Sequence, residues 1–406
     1  MDYGKWINGD GKLVFAEKCV RTVPYGFLGA LYAVYMDKLG LSVFAIGVVL
    51  TVTVFTSSFY TFIISFIADR IGRKQTLIFF AMMDFVAGSV LFLSSAWWSP
   101  IIAGIVGNMT VGAGEVGPFL SLEQAILPQT CDSKHRTLAF SVYNLVGYAS
   151  SAAGALLVGI PQYFGSGLEA YRPLFLAYLA SGLVGGVVYS KLSKSVEVAV
   201  AARVPKRQVL SEKSRSIVAK LSAIFSIDSF GGGFIGTSII GYFFFLRFGL
   251  QLESIGLIIA STQLVTAASF LLSPRIARRI GLLKTMVFTH IPSNIFLTAL
   301  PFAPSAAGAV ALLLCRHSLS QMDVPARQSY VMAIVDESDR TAAAGFTNVS
   351  RSVASSVSPS FAGYAIASIW VGSPFVFAGT FKLAYDFLVY GVFRKVKPPE
   401  EQTKSS

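Results

Sequence analysis

Apolar runs of about 20 residues recur along almost the whole of this 406-residue chain, and they constrain its fold more tightly than any other feature. A helix of that length crosses the ~30 Å hydrocarbon core of a bilayer. Clear cases are Val43–Ala68, Ile101–Leu122, Tyr171–Leu192, Ile255–Leu272 and Phe361–Val392, the last long enough for two spans around a Trp370–Ser373 turn. Charged residues make up only 13% of the chain, against ~25% in an average soluble domain. That leaves too little polar surface for a water-soluble body.

Reading every such run predicts twelve helices, over 13–36, 43–68, 76–95, 99–127, 137–160, 171–192, 216–246, 254–274, 284–302, 305–333, 341–366 and 373–393. The first run follows Lys5 and Lys12, but it is too long and too charged for a cleavable signal core. Basic residues concentrate in the loops on the side of the termini, among them Arg70, Arg73, Lys74, Arg203, Lys206, Arg207, Arg278 and Arg279. The opposite loops hold Lys38, Arg172 and Arg247. The asymmetry predicts cytoplasmic termini in a plasma-membrane protein. It also explains the net charge of +12 without a nucleic-acid partner, and lets the basic central loop touch membrane lipids.

The chain repeats itself. At an offset of 209, Lys38, Gly40, Leu41, Ile46, Gly47 and Thr53 match Arg247, Gly249, Leu250, Ile255, Gly256 and Thr262. At an offset of 204, Gln124, Asp132, Arg136, Thr137, Ala139, Asn144 and Ser151 match Gln328, Asp336, Arg340, Thr341, Ala343, Asn348 and Ser355. Shared apolar composition does not produce such polar matches, so the chain reads as a duplication of a six-helix unit. An even number of helices makes the repeat parallel, about an axis along the membrane normal. The expected fold is therefore an all-α polytopic membrane protein of two pseudo-symmetric six-helix bundles. The bundles are expected over 1–192 and 216–394, with a cytoplasmic linker over 193–215 and a cytoplasmic tail over 395–406.

Between helices 2 and 3 stands Ser65-Phe-Ile-Ala-Asp69-Arg70-Ile-Gly72-Arg73-Lys74-Gln-Thr-Leu77. With the repeat and the topology, it makes the chain resemble the major facilitator superfamily over nearly its whole length, Ser65 replacing the first glycine of the family's loop. Gly72 suits a tight turn between helices, and Asp69 can accept from neighbouring helix N-termini. The resemblance implies a gating role for Asp69, Arg70, Gly72 and Arg73, and a secondary transporter working by alternating access. Arg136 and Arg340 resemble the basic ends of the family's acidic-x-x-R loops. The second-half copy, Arg275-Ile-Ala-Arg278-Arg279-Ile-Gly281, lacks the aspartate. Helix 5 reads Gly147-Tyr-Ala-Ser-Ser-Ala-Ala-Gly154, without the G-P-x-x-G-G pattern of the family's proton-driven multidrug exporters. Drug export is thus the alternative reading, and a transporter-like receptor without flux is the alternative of another class.

Charges inside a membrane are costly, so each is a functional candidate. Arg21 aligns with Asp228 at an offset of 207, and Glu123 with Arg327 at 204, with the signs swapped between halves. Two pseudo-symmetric pairs follow as an expectation, Arg21–Glu123 and Asp228–Arg327, either gates or static bridges. Glu17, one turn from Arg21, can also pair with it. Glu115, near the membrane centre with no evident partner, is the first choice for a proton-coupling group. Arg316 and Arg351 can bind a carboxylate or phosphate by fork-like hydrogen bonds, or pair with Asp323, Glu115 or Asp228, and pairing is favoured. Asp84 and the i, i+4 pair Lys382 and Asp386 read as structural, and His290 as packed or hydrogen-bonded. Tyr25, Gln124, Asn144, Gln263, Gln328 and Asn348 complete the substrate-contacting candidates, residues of a kind more often engaged in interhelical hydrogen bonds than in binding.

Cys19, Cys131 and Cys315 are scattered and suggest neither disulfides nor a metal site. No phosphate-binding loop or hydrolase motif is present, so the reading is a non-enzyme without cofactor. The expected partners are a small organic solute, with a slight lean to an anion from the buried arginines, and protons as coupling ion. The chain is expected to act as a monomer.

Overall fold

The computed structural model describes residues 6–110, 117–131, 136–165, 167–197, 211–270, 272–335 and 340–396. Among these the regular structure is helical, with no strand beyond an isolated bridge between Ile7 and Cys131. Seven stretches of the described residues are long and apolar enough to cross a membrane: 43–64, 73–93, 142–163, 168–190, 214–248, 252–269 and 373–393. The described residues of the other expected spans are largely helical, but those spans are more polar or interrupted.

The chain forms two compact units, Met1–Val204 with Gly236–Gln263, and Pro205–Ile235 with Leu264–Ser406. In the first, α1 (Gly9–Lys38), α2 (Val43–Ile71) and α3 (Arg73–Leu93) are continuous. Helix 4 is not. It divides into α4 (Ser99–Val106) and α5 (Pro118–Ile126), followed by α6 (Arg136–Leu156) and α7 (Arg172–Ser190). The sequence suggested one helix over 99–127; it is interrupted because Gly107 turns extended and Gly117 sits at φ +143°, open to glycine alone. Pro118 then starts the new helix at its first position, where its missing N–H costs nothing.

Helices 7 and 10 divide likewise. Helix 7 becomes α8 (Glu212–Gly233) and α9 (Thr237–Phe248), parted over 234–236 just after Gly231-Gly232-Gly233, three residues of poor helix propensity that end α8. After α10 (Leu252–Phe270), α11 (Ser273–Ile280) and α12 (Leu282–Ala299), helix 10 becomes α13 (Ala306–Ser320) and α14 (Asp323–Ile334). Pro325, in the first turn of α14, has no N–H to continue the ladder from α13. The last helices, α15 (Arg340–Ser368) and α16 (Ser373–Phe393), are unbroken.

The duplication is visible in the packing. In the first unit α1 packs on α6 and α3 on α7; in the second α8 packs on α15 and α12 on α16, the same partners in repeat order. One contact matches residue by residue. A Cβ on Gly26 would meet the Ser151 carbonyl oxygen at 1.9 Å, and a Cβ on Gly233 would meet that of Ser355 at 2.4 Å. Gly154 faces the Val23 carbonyl equally closely, at 1.8 Å. Small residues let helix backbones approach where apolar area drives no association. Within the first unit α9 also lies along α1, with Ser238 Oγ donating to the Gly29 carbonyl at 3.0 Å and Tyr242 OH to Asp37 Oδ1 at 2.7 Å.

The stretch between α2 and α3 turns at Gly72, whose φ of +116° demands glycine. The first N–H groups of α3 are taken by Glu197: Arg73 N donates to Oε2 at 2.7 Å and Lys74 N to Oε1 at 3.1 Å. Arg73 Nη1 reaches the Ala125 carbonyl at 3.2 Å, and Lys74 Nζ that of Leu192 at 2.7 Å. The side chains of Asp69, Arg70, Arg136 and Arg340 lie outside the described residues, although their backbones are helical.

Candidate functional site

Each unit buries a cluster of charges among its described residues. In the first, α1 presents Glu17, Lys18 and Arg21 on the face that meets α6 and α7, because positions one turn apart share a face. Arg21 Nη2 lies 2.6 Å from Glu123 Oε2 on α5, and Arg21 Nε 3.1 Å from Glu17 Oε2. Arg21 thus bridges two carboxylates, both at most 1% exposed. Tyr143 OH on α6 donates to Glu123 Oε2 at 2.6 Å and accepts from Lys18 Nζ at 3.1 Å. Tyr189 OH on α7 stands 2.5 Å from Glu17 Oε2 and 2.9 Å from Glu123 Oε1. Phe119 covers the Arg21 guanidinium at 4.4 Å and stacks on Tyr189. Charged and hydrogen-bonded groups compensate one another here, as burial requires.

Alongside, Asp84 on α3 accepts from Tyr25 OH at 3.2 Å, Tyr178 OH at 3.0 Å and the Asn108 backbone N–H at 2.8 Å. It therefore ties the interruption of helix 4 to α3 and α7. Glu115 lies outside the described residues.

In the second unit Asp228 on α8 is ligated from three helices. Lys382 Nζ lies 2.7 Å from Oδ1, Arg327 Nη1 3.3 Å from Oδ2 and His290 Nε2 3.7 Å from Oδ1. Arg327 also holds Asp323 at 2.9 Å. The expected local pair of Lys382 with Asp386 is replaced. Lys382 turns to Asp228, and Asp386 accepts from Asn294 Nδ2 and faces His290 Nδ1, each at 2.8 Å. A buried ammonium goes where the field is strongest, and Asp386 is already satisfied.

Arg316 and Arg351 form no ion pair among the described residues, although the sequence favoured pairing. Arg351 Nε donates to Ser229 Oγ at 2.9 Å. Arg316, 5% exposed, places Nη1 3.0 Å from His317 Nε2, and its Nε is buried with no partner. Since a guanidinium only donates, His317 Nε2 accepts; the ring is then neutral and its Nδ1–H points to Thr266 Oγ1 at 3.1 Å. Ser320 Oγ, one turn along, is likewise buried and unpartnered. Near the interruption of helix 10 the structure thus keeps unused donors.

The remaining candidates are less enclosed. Gln124, Asn144, Gln328 and Asn348 are exposed, with no side-chain hydrogen bond to another described residue, and Gln263 is half-buried. The two repeat-matched pairs therefore share an environment. Sequence reasoning missed Tyr189, Tyr178 and Lys18 as parts of the buried clusters. Only Lys18 carried a usable signal, a charge inside an apolar run.

Comparison with known proteins agrees with this architecture. A protein of Saccharomyces cerevisiae, "Uncharacterized membrane protein YJR124C", is 25% identical, the alignment covering 97% of both chains. Among solved structures, the nucleoside transporter NupG is similar with a TM-score of 0.73 at 14% identity, over 94% of this chain and 100% of that one. A D-xylose–proton symporter follows at 0.69 and 16%, over 93% and 97%. The human organic anion transporter MFSD10 (TETRAN) gives 0.63 and 15%, over 94% and 98%. These likenesses show the fold. The sequence pattern of the Major Facilitator Superfamily matches residues 19–322, three quarters of the chain. This protein is a helical membrane transporter that belongs to the Major Facilitator Superfamily.

Proposed function

We propose that this secondary transporter moves a small organic anion by alternating access, coupled to protons, as a monomer in the plasma membrane with cytoplasmic termini. The observation that carries the anionic substrate is the unmatched pair of cations in the second unit. Asp228, Asp323 and Asp386 are engaged by Arg327, Lys382, His290 and Asn294. Arg316 and Arg351 have no carboxylate within ion-pair distance among the described residues, and Arg316 retains a buried, unused Nε–H. A buried guanidinium costs several kcal/mol unless an anion meets it, and a bidentate carboxylate or phosphate group fits its donors. Similarity to an organic anion transporter and to a proton symporter supports the same direction. The proposed gates are the loop around Asp69, Arg70, Gly72 and Arg73 with the Arg21–Glu123 and Asp228–Arg327 layers.

The test is thermal stabilisation of the purified protein by carboxylates, phosphate esters, sugars, amino acids and lipophilic cations, followed by proteoliposome uptake of the stabilising compound. Stabilisation by one anionic class, lost in R316Q and R351Q, supports the proposal. Stabilisation by lipophilic cations alone moves the reading to drug export. Ligand binding without flux makes the chain a receptor.

A further inference from the structure

The Tyr189 hydroxyl lies within hydrogen-bond distance of two buried carboxylates, 2.5 Å from Glu17 Oε2 and 2.9 Å from Glu123 Oε1, and it has one proton to give. If both carboxylates were ionised, one of these contacts would set a hydroxyl oxygen against a carboxylate oxygen with lone pairs on both sides. A second proton between them removes that repulsion. We propose that Glu17, Tyr189 and Glu123 form a proton store, in which one exchangeable proton is shared between the two carboxyl groups through the tyrosine hydroxyl. The proposal rests on the proton-coupled reading above and names its carrier.

The transfer balances internally. The Glu123 Oε1–H bond breaks as its proton forms a new O–H bond on Tyr189. In the same movement the original Tyr189 O–H bond breaks and its proton joins Glu17 Oε2. The negative charge passes from Glu17 to Glu123, and no oxidant or co-reactant is consumed.

Arg21 suits both ends of this shift, because Nε faces Glu17 and Nη2 faces Glu123, so either carboxylate has a cation beside it when ionised. Three of the packed helices contribute groups that tune the store. From α1 these are Lys18, Arg21 and Tyr25; from α6 Tyr143, which links Lys18 to Glu123; and from α3 Asp84, within electrostatic reach of Arg21. Gly185 on α7 leaves the space for the Glu17 carboxyl, since a Cβ there would lie 3.1 Å from Oε1. Among the described residues of the second unit, where the repeat places Asp228 and Arg327 opposite Arg21 and Glu123, Arg327 also holds a second carboxylate, Asp323, but no tyrosine hydroxyl bridges the two acids.

The experiment is infrared pH titration of the full chain purified in detergent, with H2O-to-D2O exchange. The expected result is a protonated-carboxyl band near neutral pH that loses one carboxyl's intensity in E17Q/E123Q. In Y189F, which keeps both carboxyls and the ring packed on Phe119, the band should change frequency. A protonated-carboxyl band unchanged in the double variant overturns the store. If the double variant does not fold, an unchanged band in Y189F overturns it alone. The coupling reading fails separately: proteoliposome flux indifferent to an imposed pH gradient, with the infrared band in place, removes proton coupling and leaves the store standing.

Discussion

Lys382 Nζ on α16 lies 2.7 Å from Asp228 Oδ1 on α8, joining helices 154 residues apart in the chain. Both groups are buried, so each partner exists to neutralise the other. K382M should lower stability by about 3 kcal/mol, at the low end for breaking a buried pair because Arg327 still faces Asp228. The double variant D228N/K382M should recover part of that loss. Thermal unfolding of wild type, K382M, D228N and the double variant measures the coupling, and strict additivity would mean that the two groups do not interact.

The crossing of α1 and α6 has no room for a methyl group. G154A should cost about 1–3 kcal/mol, since the new Cβ would meet the Val23 carbonyl oxygen and the helices must part. Gly345, whose Cβ would meet nothing within 4 Å, is the internal control, and G345A should leave the unfolding temperature nearly unchanged or raised.

Glu197 closes the N-terminus of α3 with two charge-assisted hydrogen bonds. E197A should cost about 1 kcal/mol, a typical loss for an N-terminal cap. E197Q should lose less, since its amide oxygen still accepts one bond. Added salt should narrow the difference between wild type and E197Q if the helix dipole contributes. Thermal unfolding at low and high salt reads both effects.

Asp10 stands before the first apolar span. Burial pushes its carboxyl up, but hydrogen bonds from Ser193 N, Ser193 Oγ and Ser195 Oγ, with the Lys74 charge, outweigh it and hold the group below its ordinary 3.8. A folded value below the unfolded one means stability that is fully present above pH 3.8 and is lost as pH falls through the lower folded value. D10N should therefore be less stable than wild type at neutral pH and converge with it in acid. Unfolding temperatures across the acid range test this, and parallel curves would count against it.

Arg316 offers the cleanest functional test. R316Q removes the charge and should abolish stabilisation by the anionic compound while leaving the fold intact, because no carboxylate loses its partner. R316K, which keeps a charge but not the fork, should retain weaker stabilisation. Melting-temperature shifts against compound concentration distinguish the three proteins.

The sequence by itself determined the membrane class, the superfamily and the duplication. Each rests on information local in the chain or carried by a fixed offset: apolar runs of membrane length, basic loops and polar matches at 204 to 209 residues. Even the facing of Arg21 and Glu123 was legible, because the second half repeats it with the signs exchanged. The tertiary structure alone decided the rest. Lys382 had an acid one turn away and took one from another helix, since burial sets the partner by field and geometry rather than by spacing. The interruptions of helices 4, 7 and 10 depended on how Asp84 and Asn108 share a hydrogen bond and on how the chain is turned at Gly117, after Gly233 and before Pro325. The place of Tyr189 between two carboxylates required α1, α5 and α7 to meet, and a tyrosine inside an apolar helix carries no local mark of what it will touch.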